Sequence, residues 1–460
     1  MEADTKKDSS AEGCPGCALR DRKIAELEAR LAKLEAAVRS GKRQAAPFSK
    51  GAPKAQPKPP GRKSGEDYGT HHRRATPPRI DEVLEAPLPP RCPACGGQVV
   101  SEEIVQQYQT EIPRKVIHRQ FDIHVGHCAC CQKRVQGRHP LQTSDAIGAA
   151  ANQIGPDAQA LAVQLNKDAG LSHGKVSRFF KAAFDLDLAR SAACRVMLRA
   201  GKRCEPAYQT IIQQVRQSPS IVPDETGWRI GGLLAWLHAA VGVDATAYLI
   251  HRHRGYEASV ELIGCDYQGF MTHDGWSPYE HFIYATHQSC LGHLLRRAKE
   301  LEESAVGDAA HFPREIKGIF KQALAVRDQR DAGELTLLQA REQAKLLRQQ
   351  LEGVVIPRKS DANNERFAKF LWRQQENLFT FLEFQGVDAT NYQGEQAIRP
   401  AVVNRKVWGG NRTQTGAEAQ SILMSVMRTA AQRGIDAMNF ISGTLKATLG
   451  HLPTLFPDTA

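Results

Sequence analysis

The sequence predicts a multidomain α+β protein, and three observations carry that prediction. The chain has 460 residues, more than one hydrophobic core ordinarily holds. Its patterning changes character along its length, from heptad spacing to paired cysteines, then helical periodicity, strand-like runs and helical periodicity again. Its 41% of hydrophobic residues never form a run of bilayer length, and no apolar N-terminal segment resembles a signal peptide, so a soluble chain is expected. Eleven cysteines, an odd number, point to free thiols or metal ligation rather than a disulfide framework.

Residues 1–40 are expected to hold an N-terminal coiled coil. Ile24, Leu27, Leu31, Leu34 and Val38 fall at alternating spacings of three and four, a heptad seam flanked by Glu, Arg and Lys. The alternative is a helix packed on its own protein; self-association is preferred because no other apolar surface lies nearby in sequence. Cys14 and Cys17 precede the helix as a lone pair, too few to fill a tetrahedral metal site. Residues 41–80 contain seven prolines and few aliphatics, as expected of an extended linker. Between Arg39 and Arg79 eleven Lys or Arg stand against two acids, while the whole chain carries +11. A solubilising tail is one reading; phosphate contact through residues such as Lys58, Arg62 and Lys63 is the other.

Residues 81–145 read as a zinc ribbon. Two knuckles, Cys92-Pro-Ala-Cys95 and Cys128-Ala-Cys-Cys131, bracket alternating sequence from Glu103 to His124. Four thiolates satisfy a structural zinc ion and leave no open position for catalysis. Cys130 is an alternative ligand to Cys128 or Cys131, while His124 and His127 read as bystanders. Residues 146–218 read as helical. The run Leu171 to Phe184, a turn at Asp185 to Leu188 and a second run from Ala189 to Arg199 suit a helix-turn-helix DNA-binding domain. There Arg190, Ser191, Arg195 and Arg199 would face DNA; a purely structural helical hairpin is the alternative.

Residues 219–290 turn strand-like. Strands are expected at 220–224, 232–241, 245–253, 267–273 and within 283–290, with a helix at 256–264. Three strands, a helix and a further strand suggest a mixed sheet of the ribonuclease-H type. Residues 291–385 read as a helical insertion, residues 386–445 as the end of the same domain with C-terminal helices, and residues 446–460 as a tail.

Two short apolar runs each deliver an aspartate to a strand end, followed by a glycine and an aromatic: Val222-Pro-Asp224-Glu-Thr-Gly-Trp228 and Phe270-Met-Thr-His-Asp274-Gly-Trp276. If the strands are neighbours, the two carboxylates converge as a pair of magnesium ions needs. Glu395 opens a helix one turn before Arg399, so the acid and the guanidinium share a helical face. Glu225 adjoins the first acid but points to the opposite face of its strand, which suits a supporting role. Glu365, in Asn363-Asn-Glu-Arg366, is a rival third acid. Its amphipathic surroundings at Phe367, Phe370 and Leu371 favour an ordinary surface role.

These motifs resemble those of transposases of the insertion-sequence-66 family. The resemblance covers nearly the whole chain and is strongest at residues 222–228, 272–279 and 390–400. In the last segment Gly394 and Gln396 depart from the family's more usual Asn-x-Ala-Glu-Arg core, leaving the acid in place. The run Gln288-Ser-Cys-Leu-Gly-His293-Leu-Leu-Arg296-Arg297 also looks like a family motif, with no chemical role evident from its residues. The resemblance implies a DDE-type transposase with Asp224, Asp274 and Glu395 as metal-binding acids and Arg399 as an electrostatic helper. It implies magnesium (or manganese) as the catalytic metal. It also implies DNA partners, namely terminal inverted repeats and a target. A homo-oligomer, companion proteins of the same element and a cytoplasmic, nucleoid-associated setting in a bacterium are further expectations. The alternative is a catalytically inactive zinc-containing DNA-binding regulator.

Overall fold

The computed structural model describes residues 153–447 continuously, together with 24, 26–29, 31, 76–101, 103–110, 112, 115–139, 141–142 and 451–457. Cys14, Cys17, Leu34, Val38, Lys58, Arg62 and Lys63 lie outside the described residues, as does most of the expected coiled coil and linker. The chain divides into two units, Met1–Ile112 and Pro113–Ala460.

In the first unit, residues 24, 26–29 and 31 are helical, with Ile24, Leu27 and Leu31 exposed on this single chain. Residues 76–112 form neither helix nor strand where described. They turn tightly at Cys92, whose amide donates to Gly97 O and whose carbonyl accepts the Gly96 amide.

The second unit opens with a small antiparallel hairpin, β1 (Val125–His127) and β2 (Arg134–Gln136). Three helices follow: α1 (Pro156–Lys167), α2 (His173–Phe184) and α3 (Arg190–Gln217). Proline at the first position of α1 loses no helical hydrogen bond, and Ser172 caps α2 by accepting the Lys175 amide. The chain leaves α2 through Asp185 in the left-handed region, φ 52°. α3 carries the run from Ala189 to Arg199 on without a break to Gln217, within the stretch expected to be helical. Its buried stripe, from Ala193 through Val196, Ala200, Cys204, Tyr208 and Ile211 to Val215, keeps helical spacing throughout. Gly201 lies where a β-carbon would come within 2.8 Å of Ala419, so α3 and a later helix approach closely.

The central sheet has five strands in the order β5-β4-β3-β6-β7. β3 (Ser220–Ile230), β4 (Leu233–Gly242) and β5 (Thr246–His251) are antiparallel neighbours. After α4 (Tyr256–Ile263), β6 (Phe270–His273) and β7 (Thr286–Ser289) add in parallel to β3. The five strands and the helix fall where the patterning places them, but the first strand does not stop at Asp224. It continues through Gly227 to Ile230, paired to β4 all the way. Pro223 stands just past Ile221, the last β3 residue paired with β6, so its missing amide removes no bond from that ladder.

Beyond β7 come α5 (Leu291–Ser304), α6 (His311–Asp331), α7 (Leu337–Val355), α8 (Ala362–Arg373) and the short α9 (Thr380–Glu383). They share a hydrophobic cluster running from Leu291 to Ala389 that is separate from the sheet's own clusters. Then α10 (Tyr392–Trp408), α11 (Gln414–Gln432) and α12 (Ala437–Lys446) return to the sheet. One sheet face, with Val222, Leu237, Ala239 and Tyr248, packs on Ala397, Ala401 and Met424. The other, with Ile221, Ala240 and Ala247, packs on α1, α3 and the opposite side of α11. Residues 156–217 therefore share a core with the sheet. Among the described residues no helix is long and apolar enough to cross a membrane.

Candidate active site

The two aspartates sit beyond the same end of one parallel ladder. Ser220 pairs with Phe270 and Ile221 with Met271, the last paired positions, and Asp224 and Asp274 each follow three residues later, near enough for the charge of Asp274 to act on Asp224. Asp224 Oδ1 accepts the Glu225 amide at 2.9 Å, and Asp274 Oδ1 accepts the Trp276 amide at 2.9 Å. Among the described residues no basic side chain pairs with either carboxylate. Burial pushes the Asp224 carboxyl up to about 7, with further upward contributions from the charges of Glu225, Asp274 and Glu395.

The expected third acid, Glu395, lies in the first turn of α10. That turn lies against β3 because residue 394 is glycine: a β-carbon there would stand 3.1 Å from Asp224 Cβ and 3.3 Å from Val222 Cγ1. Glu395 follows at once, with His293 Nε2 at 3.6 Å and Arg296 Nη2 at 4.0 Å from Oε1. Both separations exceed hydrogen-bond length, so they act as local charge and dipole. His293 is held from behind by Nδ1 to Cys290 Sγ at 3.3 Å, and the same sulfur accepts the Asn391 amide at 3.3 Å. Cys290 thus ties the start of α5 to the start of α10. Arg399 is exposed one turn beyond Glu395.

Glu225 is held by other partners. Its side chain is 2% exposed; Arg254 donates to Oε1 from Nη2 at 2.6 Å and Nε at 3.1 Å, and the Tyr279 hydroxyl donates to Oε2 at 2.8 Å. Burial raises the Glu225 pKa, while the Arg254 and Tyr279 hydrogen bonds oppose that rise. The Arg254 guanidinium lies 4.7 Å from each of the Trp236 and Trp276 ring centroids, a double cation–π contact. A clamp therefore joins the neighbour of Asp224 to the turn that fixes Asp274.

A second chain of bonds supports that turn. The Gly275 amide donates to His273 Nδ1 at 3.1 Å, which requires the His273 proton on Nε2. That proton faces His287 Nδ1 at 3.1 Å, so His287 in turn donates from Nε2 to Phe282 O at 3.0 Å. Burial lowers His273 to about 3 and also depresses His287, keeping both rings neutral.

Glu365 is occupied elsewhere: Oε2 accepts the Lys359 amide at 2.9 Å and Oε1 lies 3.3 Å from Lys369 Nζ. Arg190, Ser191, Arg195 and Arg199 are all exposed on α3, and Arg199 donates to Gln159 Oε1 at 3.2 Å. At Cys92, amides of Cys95 and Ala94 and then the Cys95 thiol lower the pKa. At Cys128, amides of Cys131 and Cys130 and then the Cys131 thiol do the same. Each knuckle thus favours thiolate at its first cysteine. Among the described residues no three His, Cys, Asp or Glu side chains are gathered closely enough to hold an ion as they stand.

Sequence reading did not single out Arg254, Tyr279, Trp236, His287 or Cys290, and it left His293 and Arg296 without a role. They lie between 11 and about 105 residues from the acids they support. The available signals were the run at 288–297, whose His and Arg recur at helical spacing, and the segment 272–279, which ends on Tyr279. No curated protein matches the chain. A family model described as Transposase IS66 family matches residues 152–419, more than half of the chain and all of the sheet with its three acids. The chain belongs to the IS66 family of transposases.

Proposed function

We propose that the chain is a DDE-type DNA transposase that binds the terminal inverted repeats of an insertion sequence and performs magnesium-dependent strand cleavage and strand transfer. What supports this reading is that Asp224 and Asp274 follow the paired ends of neighbouring parallel strands, that the charges of Asp274 and Glu395 both act on the Asp224 carboxyl, and that Gly394 packs against β3 one residue before Glu395. The strand order, three antiparallel strands extended in parallel by two more, supports the ribonuclease-H-type reading.

The donor set fits a hard divalent cation. Three carboxylates supply only oxygen ligands, and Asp224 carries a raised pKa that a nearby cation would bring down. Bound ions would supply Lewis acidity at the scissile phosphate and a lowered pKa for an attacking water or 3′-hydroxyl. The protein's own residues do the rest. Asp224, Asp274 and Glu395 would hold the ions; Arg254 and Tyr279 would keep Glu225 from competing for them; the His273–His287 chain braces the Asp274 turn. His293, Arg296 and Arg399 place donors and positive charge around Glu395. No covalent protein–DNA intermediate is required, so no serine or tyrosine nucleophile is needed.

End recognition is assigned to the exposed face of α3, through Arg190, Ser191, Arg195 and Arg199, with Lys58, Arg62 and Lys63 adding phosphate contacts. Cys92, Cys95, Cys128 and Cys131 are assigned to one structural zinc ion, supported by the thiolate-favouring turns at Cys92 and Cys128. Oligomer formation is assigned to the helix around Ile24 to Val38.

The test is magnesium-dependent cleavage and joining of a terminal-repeat oligonucleotide. Asp224→Ala, Asp274→Ala and Glu395→Ala should each abolish cleavage while end binding persists, and Glu365→Ala should remain active. Cleavage that survives Glu395→Ala but not Glu365→Ala would overturn the assignment of the third acid. A wild-type protein that binds ends without ever cutting them would overturn the catalytic reading itself.

A further inference from the structure

The helix that places His293 and Arg296 beside Glu395 continues into a cleft that the catalytic reading leaves unused. Arg297, Glu300, Leu301 and Ser304 of α5 and Asn363 and Arg366 of α8 line one open cavity of about 370 Å³. Positions 293, 297, 300 and 304 recur at four, three and four, so they share one face of α5. That face starts at the third acid and ends in the cavity. Arg297 lies one turn beyond His293, about 6 Å along the helix. Six ångströms is roughly the axial rise of two nucleotides on one strand.

The cleft holds two guanidiniums in fixed positions, neither of them ion-paired among the described residues. The Arg297 guanidinium lies 4.7 Å from the Phe367 centroid and 5.3 Å from that of Phe370, so its orientation is set by packing. Arg366 donates from Nη2 to Asn363 Oδ1 at 2.8 Å and from Nε to Ala362 O at 3.2 Å, both neutral acceptors. Among the described residues neither guanidinium has a carboxylate within ion-pair distance. Burial, and then the charge of Arg366, depress the Arg297 pKa, as expected of like charges held together. Two guanidiniums and the Glu300 carboxylate leave the cavity one positive charge, matching one phosphodiester. Asn363 adds a neutral amide donor, while the Ser304 hydroxyl already donates to Glu300 O at 2.9 Å and lies 3.2 Å from Leu301 O.

We propose that this cavity is a subsite for one backbone phosphate of the DNA strand that runs away from the reacting phosphodiester, which gives the helical insertion a role in holding DNA. The proposal rests on the DDE reading for the strand's direction but not for the binding itself.

The test uses the full-length protein, without divalent metal, and a labelled random-sequence duplex, since a phosphate contact carries no sequence information. Affinity is measured as a function of salt. Combining Arg297→Ala with Arg366→Ala should reduce the slope of log affinity against log salt by about 0.9, the loss of one phosphate contact. Arg366→Ala alone should move it in the same direction, and this exposed side chain keeps the test readable if the double variant fails to fold. Combining Arg297→Lys with Arg366→Lys should keep most of the slope, and Glu300→Gln should tighten binding. Slopes for Arg366→Ala and the folded double variant equal to that of the wild type would overturn the subsite. Magnesium-dependent cleavage by the wild type is scored separately. Unchanged slopes beside active cleavage remove the subsite and leave the catalytic reading; a reduced slope beside absent cleavage does the reverse.

Discussion

Two residues with no part in the chemistry show how much of this chain's stability is electrostatic arrangement. Glu225 is buried, and the half-exposed Arg254 reaches it through two hydrogen bonds while stacked between indoles. Removing the guanidinium strands a buried carboxylate, a loss of about 1.5–3 kcal/mol for a charged hydrogen bond. Arg254→Met should therefore lower the urea midpoint, and combining it with Glu225→Gln should recover part of the loss. Equal stabilities for Arg254→Met and the wild type would refute the clamp. Lys167 makes the opposite case. Its Nζ donates to Gln420 Oε1 inside the core, and burial lowers its pKa from 10.5 to about 7. Between about 7 and 10.5 the unfolded chain binds this proton and the folded chain does not, so the wild type gains stability as pH rises through that window. Lys167→Met should be the more stable form near pH 7, with its advantage shrinking toward pH 10. An advantage that stays constant with pH would sink this account.

At the scale of elements, the outer edge of β5 explains a row of polar residues in a buried helix. Ser421, Ser425 and Thr429 of α11 accept the amides of Ile250, Tyr248 and Thr246 at 2.9, 2.8 and 3.0 Å. Four residues of helix rise about 6 Å and two residues of strand about 6.6 Å, so one hydroxyl meets every outward amide and the edge is closed to other strands. Ser425→Ala should leave the Tyr248 amide buried and unpaired, at about 1–3 kcal/mol. Thermal unfolding checks it, and a melting temperature equal to the wild type would mean the edge bonds contribute nothing. None of this was legible in the sequence, because the hydroxyls of Ser421, Ser425 and Thr429 meet amides about 170–185 residues away. The strands and the helix between them were legible, because their apolar runs are short and bounded by glycines and charges. The end of the first strand was not. A glycine follows the expected end at Asp224, and only the partner strands reveal that β4 supplies pairing where β6 has stopped. The three acids were legible as motifs. Their supports at Arg254, Tyr279 and His287 were not, because contacts 29, 54 and 14 residues apart in sequence leave no local periodicity.

At the scale of the molecule, the chain supports its parts by different means. From Ile154 onward the described chain builds three hydrophobic clusters around the sheet and the insertion. Between residues 76 and 142 no described residue is buried; Ile104 is 91% exposed, and Val125 and Val135 of the hairpin are exposed as well. The described residues around each cysteine knuckle bury no apolar side chain, which motivates the proposal that a metal supplies folding free energy there. A zinc ion on Cys92, Cys95, Cys128 and Cys131 would supply it. The two means of support should then separate cleanly in experiment. Purified protein should carry one zinc ion per chain by metal analysis, and Cys92→Ser or Cys128→Ser should lose it. Chelation should open residues 76–142 to proteolysis while the cooperative melt of residues 153–447 stays in place, because the hydrophobic clusters contain none of the four cysteines. Cys130→Ser should keep the metal, since in the Cys128 turn Cys130 contributes a backbone amide to the Cys128 sulfur. A protein that purifies without zinc yet resists proteolysis across residues 76–142 would show that this segment is held by something other than a metal.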